Sequence, residues 1–138
     1  MRYMGLDLGE KTIGVSVSDE LGWTAQGLEV IRRNLDSPAE DLARLEQLIK
    51  QHNISCIVIG FPKNMDGSIG PRGEEVLRFA RQLEELTGLE IKLWDERLTT
   101  VLAERVLISA DVRRRKRKQV VDKLAAVLIL QSFLDAQN

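Results

Sequence analysis

Apolar side chains alternate or cluster in strand-length runs over residues 2–8 and 12–19, with a turn signal around Gly9 between them. This pattern predicts a β-hairpin. A third strand follows over 24–32, where Leu28, Val30 and Ile31 come after the turn at Leu21-Gly22. Ser37-Pro38-Ala39-Glu40 then offers an N-cap, a proline at the first helical position and a glutamate at the capping-box position. The period changes to helical there, with Leu42, Leu45 and Ile49 carrying the stripe to about Asn53. Residues 55–61 form a short apolar run suited to a strand buried on both faces. Residues 62–73, rich in Gly, Pro, Asn and Asp, read as a loop. Val76, Phe79, Ala80, Leu83 and Leu86 make the next helical stripe, closed by Gly88 at a C-cap position. A last strand over 90–94 and helices over about 99–110 and 119–136 complete the order βββ-α-β-α-β-α-α. That order predicts one α/β domain over 1–138, a mixed five-stranded sheet with its first three strands antiparallel and helices on both faces.

Composition agrees with a globular fold and removes other classes. The 138 residues, 43% hydrophobic and 30% charged, are enough for one core and are ordinary usage for a folded domain. The apolar run over 120–130 is interrupted by Asp122 and Lys123, too short and too polar to cross a bilayer. No cationic segment leads into a signal-type apolar stretch, so no membrane partner is expected and the expected location is the cytoplasm. Cys56, the single cysteine, lies in the apolar stretch Cys56-Ile57-Val58-Ile59 and reads as a buried strand thiol.

Charge changes the picture more. The formal net charge is −1, yet Arg113, Arg114, Arg115, Lys116, Arg117 and Lys118 carry six positive charges together, leaving −7 on the rest of the chain. Such a block beside an acidic remainder predicts contact with a polyanion; a solvated loop or a protein partner is the other reading of the same residues.

Three acidic positions stand out. Asp7 lies inside an apolar strand in Gly5-Leu6-Asp7-Leu8-Gly9, where flanking glycines would let a ligand approach the backbone, or where the Asp closes the hairpin turn. Asp95-Glu96-Arg97 follows the apolar strand over 90–94, so a carboxylate projects from a strand end, as ligand sites in open α/β sheets require; an ion pair with Arg97 is the simpler account. Asp122 is surrounded by Val120, Val121, Leu124, Ala125, Val127 and Leu128 in a helix apolar on nearly every side. A buried carboxylate needs a cation, a metal or several donors, and Lys118 one turn earlier is the alternative to a metal. Hard divalent ions take oxygen ligands of this kind.

Taken together, Asp7, Asp95-Glu96 and Asp122 resemble the acidic constellation of the RNase H-like superfamily. More closely, the chain resembles the YqgF family, also called RuvX, of Holliday junction resolvase-like proteins linked to maturation of pre-16S ribosomal RNA. The resemblance runs through Asp7-Leu8-Gly9 with Lys11 and Gly14-Val15, Gly60-Phe61-Pro62 with Asn64-Met65-Asp66-Gly67, Asp95-Glu96-Arg97-Leu98-Thr99-Thr100, and Asp122 with Ala125-Ala126. It implies an RNase H-like fold and a nuclease in which Asp7, Glu96 and Asp122 hold one or two Mg²⁺ or Mn²⁺ ions. It also implies that Lys11, Arg97 and the block 113–118 meet nucleic acid, either precursor rRNA or branched DNA. A homodimer is what a junction resolvase implies. Three departures from the resolvase pattern bear on metal number and substrate: Ala125 stands where a second acid would lie, the middle carboxylate follows the last strand, and Glu10 replaces a small hydroxyl residue.

Two other classes compete. An ATP-binding phosphotransferase of the actin and hexokinase type also begins with Asp-x-Gly and a hairpin, but it closes two such domains over its nucleotide, and this chain supplies one. A non-catalytic nucleic-acid module would use the basic block and keep the carboxylates for folding. His52 reads as a helix-end residue, Trp94 as core, and Trp23 as a residue available to stack on a base.

Overall fold

The computed structural model describes residues 1–95 and 114–137, with side chains described for 1–95 and 123–137. The elements are β1 (Tyr3–Leu8), β2 (Thr12–Ser18), β3 (Ala25–Arg32), α1 (Pro38–Gln51), β4 (Cys56–Phe61), α2 (Pro71–Thr87), β5 (Glu90–Asp95) and α3 (Arg114–Gln137). The strands form one sheet in the order β3-β2-β1-β4-β5. The first three are antiparallel neighbours, and β4 and β5 continue the sheet in parallel from β1. The mixed sheet expected from the patterning is therefore present. Glu96, Arg97, Arg113 and the helix expected over 99–110 lie outside the described residues.

Alternation along each strand divides the side chains between two layers. Met4, Leu6 and Leu8, Ile13, Val15 and Val17, and Ile57, Ile59 and Phe61 pack with Leu45, Leu48 and Ile49 of α1 and Val76, Phe79 and Leu83 of α2. On the opposite face Val58 packs with Ile129, Leu130, Phe133 and Leu134 of α3. Because β4 is covered on both sides, its run is apolar without interruption. Cys56 is buried there, and loss of solvent pushes its thiol pKa up.

The structure departs from the expected local chemistry in three places. Ser37 is the N-cap of α1 but makes no side-chain cap bond. Its N–H donates instead to Asn34 Oδ1 at 3.1 Å, and Asn34 also takes Glu40 through Nδ2 at 2.8 Å, so the capping-box partners are already engaged. Helix α2 begins at Pro71, inside the segment read as a loop. Gly73 belongs to that helix, where a Cβ would lie 2.7 Å from Ile69 Cγ2 and 3.2 Å from Phe61 Cε2, so it serves close packing. Helix α3 begins at Arg114, so Arg114 through Lys118 are helical rather than a solvated loop, as the good helix propensity of Arg and Lys allows.

Candidate functional site

Asp7 occupies the face of β1 opposite Met4, Leu6 and Leu8, which are buried under α1 and α2. It shares that face with Gly5, where an added Cβ would come within 2.7 Å of Leu130 Cβ and 3.0 Å of the Ala126 carbonyl oxygen. The space at Gly5 is thus taken by the backbone of α3 and not by a ligand, contrary to the reading of its role from sequence. Ser16 reinforces the contact by donating its hydroxyl to the Ala126 carbonyl at 2.7 Å. Around half-buried Asp7 the neighbours are small: its partner on β2 is Gly14, and the β1–β4 register carried one residue past Leu6↔Ile59 brings Gly60 level with it.

Helix α3 runs antiparallel to β1. Phe133 meets Tyr3 edge-on with ring centroids 5.6 Å apart, and Ala126 and Leu130 lie over Gly5. From Gly5 to Asp7 is two strand residues, about 7 Å, and one helical turn back from Ala126 is about 6 Å. Position 122 is therefore level with Asp7. The buried positions 125, 126, 129, 130, 133 and 134 repeat every four residues. The side chain of Asp122 lies outside the described set.

Strand β5 fixes the face to which Asp95 belongs. Ile91 packs into the α1/α2 core, whereas Trp94 packs on Phe133 and the Lys92 ammonium lies 5.9 Å from the same ring. Asp95, paired in register with core residue Phe61, thus belongs to the α1/α2 face and not to the face of Asp7. Lys11 is exposed in the hairpin, with its backbone carbonyl accepting from the Arg33 N–H at 2.8 Å. Asn64, Asp66 and Gly67 build a turn of their own: Asp66 accepts the Ser68 N–H at 2.9 Å and the Ser68 hydroxyl at 2.6 Å. These bonds hold the Asp66 carboxyl below its ordinary pKa.

Sequence reasoning missed two arginines. Arg72 Nη2 donates to the Leu8 carbonyl at 2.8 Å, and Arg33 Nη1 donates to the Gly9 carbonyl at 2.6 Å while pairing with Glu75 at 2.8 Å. Their partners are 64 and 24 residues away, so no local pattern marks them.

The family model described as RuvX, Holliday junction resolvase, matches residues 1–136. The chain belongs to the RuvX family. A relative from Bacillus cytotoxicus, curated as "Putative pre-16S rRNA nuclease", is 60% identical over 137 residues, covering 99% of this chain and 100% of the relative. The structure of T. thermophilus RuvC in complex with a Holliday junction substrate matches 99% of this chain and 96% of that one, with TM-score 0.59 at 16% identity, a likeness of fold. The ROK hexokinase of Thermus thermophilus is matched over 78% of this chain but only 38% of its own, with TM-score 0.50 and 26% identity. RuvX membership over the whole chain decides against the phosphotransferase reading, and the hexokinase match leaves most of that enzyme uncovered. The RNase H-like architecture and the nuclease class implied by the sequence resemblance both stand. Among the described residues no helix is long and apolar enough to cross a membrane.

Proposed function

We propose that this RuvX chain is a metal-dependent nuclease that hydrolyses phosphodiester bonds in structured nucleic acid, with precursor 16S rRNA as its substrate. The observation that carries the reading is the convergence of Asp7 with position 122. Strand β1 and helix α3 bring two acidic residues 115 positions apart in sequence to the same level of one sheet face. With Asp95 on the other face, Glu96 is the carboxylate assigned to the site, as the family resemblance implies.

The donor set suits a hard divalent ion. Asp7, Glu96 and Asp122 are oxygen donors, whereas His52 caps α1 and Cys56 begins β4, at the other end of that strand from Gly60. The Leu8 and Gly9 carbonyls each accept a bond from an arginine. Mg²⁺ or Mn²⁺ bound there would polarise the scissile phosphate, offset charge on the leaving oxygen and acidify the attacking water. Gly14, the partner of Asp7 on β2, adds no side chain beside it.

The basic block supplies the remaining affinity. No acidic residue stands in the first turn of α3, although the partial positive charge of a helix N-terminus favours acids and disfavours the cations Arg114 to Lys118. A phosphate backbone relieves that repulsion. Lys11 and Arg97 are assigned to phosphate contacts, and Arg113 extends the block.

The test compares wild type with Asp7→Asn on a precursor 16S rRNA carrying its 5′ extension and on a four-way DNA junction. Wild type is expected to cut the RNA only with Mg²⁺ or Mn²⁺, and the variant to fall to the metal-free rate with an unchanged melt. Equal cleavage by the two proteins sinks the metal site. Preferential cutting of the junction transfers the substrate to branched DNA, the substrate class in the family's own description.

A further inference from the structure

The ladder between β1 and β4 ends at Leu6↔Ile59, whereas that between β1 and β2 continues to Leu8↔Ile13. The β1–β4 ladder thus stops short of Leu8, whose partner on β2 is Ile13. The Gly9 N–H donates to the Thr12 carbonyl at 2.8 Å, which makes Gly9 and Thr12 a hydrogen-bonded pair. In an antiparallel ladder such pairs alternate, so the carbonyl of Leu8 is directed away from β2 toward the gap beside β4. Unmet, that carbonyl would leave the end of β1 loose.

Arg72 meets it. Its Nη2 donates to the Leu8 carbonyl at 2.8 Å, and Arg33 Nη1 donates to the next carbonyl, Gly9, at 2.6 Å. Glu75, one turn after Arg72 on α2, holds Arg33 at 2.8 Å, with the Arg33 side chain only 14% exposed. Two guanidinium groups anchored on one helix turn thus bracket the two peptide carbonyls that follow Asp7. Charge-assisted bonds of this kind are stronger than the ladder bonds they replace.

We infer that Arg72 is a positioning residue for Asp7: it fixes the end of β1 so that the Asp7 carboxylate is presented at one angle, with Arg33 and Glu75 as its brace. The inference rests on the proposed metal site. Arg72 acts through the Leu8 carbonyl, the backbone next to Asp7. Residues that orient ligands from behind in this manner change metal affinity or activity by about 10- to 100-fold when removed.

The experiment uses the full chain and Mn²⁺, followed by the electron paramagnetic resonance of the free ion, beside cleavage kinetics and thermal melts. Arg72→Ala is expected to weaken Mn²⁺ binding about 10-fold or more and to lower kcat with little change in KM. Its metal-free melt should fall only modestly, because the Leu8 carbonyl loses a donor but no charge is left buried. Arg72→Met keeps the apolar stem and removes the donors, so it decides the matter if the alanine variant folds poorly. A melt lowered in both variants with Mn²⁺ affinity and kcat at wild-type values makes Arg72 a structural tie only and overturns the inference. The metal reading fails separately: wild type and Asp7→Asn would then bind Mn²⁺ equally, whatever Arg72 does.

Discussion

On the face covered by α1 and α2, large aliphatic side chains fill the space between helix and sheet; Leu45, Ile57, Ile59 and Leu83 are wholly buried there. On the face covered by α3, the helix instead comes down onto Gly5, Ser16 bonds a helix carbonyl, and Ala125 and Ala126 are wholly buried. The first arrangement tolerates small adjustments, because flexible side chains absorb them. The second brings backbone against backbone, so the height of α3 over β1 is set by the absence of a single Cβ. The α1/α2 face is filled by side chains alone, whereas the α3 face adds to its buried Ile129, Leu130 and Leu134 a close backbone approach beside the candidate site.

The largest stability effect is expected on the α1/α2 face. Leu45→Ala removes a wholly buried side chain and should cost about 2–5 kcal/mol, read as a lower urea midpoint. Cleavage per folded molecule should be unchanged. A variant that stays as stable as wild type, or that loses activity while folded, would contradict the division between the faces.

Gly5→Ala is the converse. The new methyl would meet Ser16 Oγ at 2.5 Å, Leu130 Cβ at 2.7 Å and the Ala126 carbonyl at 3.0 Å. Two of those neighbours belong to the helix near its backbone, so α3 itself must move. Overpacking of this type costs about 1–3 kcal/mol, less than the leucine truncation. Metal-dependent cleavage per folded molecule should nevertheless fall, because displacement of α3 separates position 122 from Asp7. Full activity in a destabilised Gly5→Ala protein would show that the height of α3 does not govern the site.

This division also explains what could be read from sequence. The five strands were legible because their apolar residues alternate or run continuously, and Gly88 marked the end of α2, where it adopts φ 69°. Asp7 was legible as an acid inside an apolar strand. The role of Gly5 was not, because the backbone that fills its space comes from residues more than 120 positions later. Asn34 took over the N-terminus of α1 through bonds from outside the capping motif, which a Ser-x-x-Glu pattern does not reveal. The face of Asp95 needed the packing of Ile91, Lys92 and Trp94 to read it. Arg33 and Arg72 are ordinary surface-type residues until the fold brings them to the Leu8 and Gly9 carbonyls.

The smallest expected effect distinguishes the rims of the two faces by pH. Arg44 of α1 grips Glu29 of β3 with two bonds, Nε to Oε2 at 2.9 Å and Nη2 to Oε1 at 2.6 Å, whereas Gln131 of α3 accepts the Ala25 N–H at 2.9 Å without any charge. The Arg44 hydrogen bond, with its charge, holds the Glu29 carboxyl below the ordinary glutamate value against the opposing effect of burial. A carboxylate whose pKa is depressed on folding contributes its stability above the unfolded value and loses it as pH falls through the folded one. Both side chains are partly exposed, so the whole contribution is about 0.5–1 kcal/mol. Arg44→Gln should therefore destabilise by that amount at neutral pH, and the difference from wild type should shrink as pH falls below 4.5. Gln131→Ala removes the Ala25 and Trp23 bonds together with one from Nε2 to the Asp135 carboxylate at 2.9 Å, and its difference should change less across the same window than that of Arg44→Gln, because no cation leaves with Gln131. Paired urea melts across that range measure both. A gap for Arg44→Gln that widened toward acid would reverse the sign of the linkage and remove the ion pair as the rim tie of the α1 face.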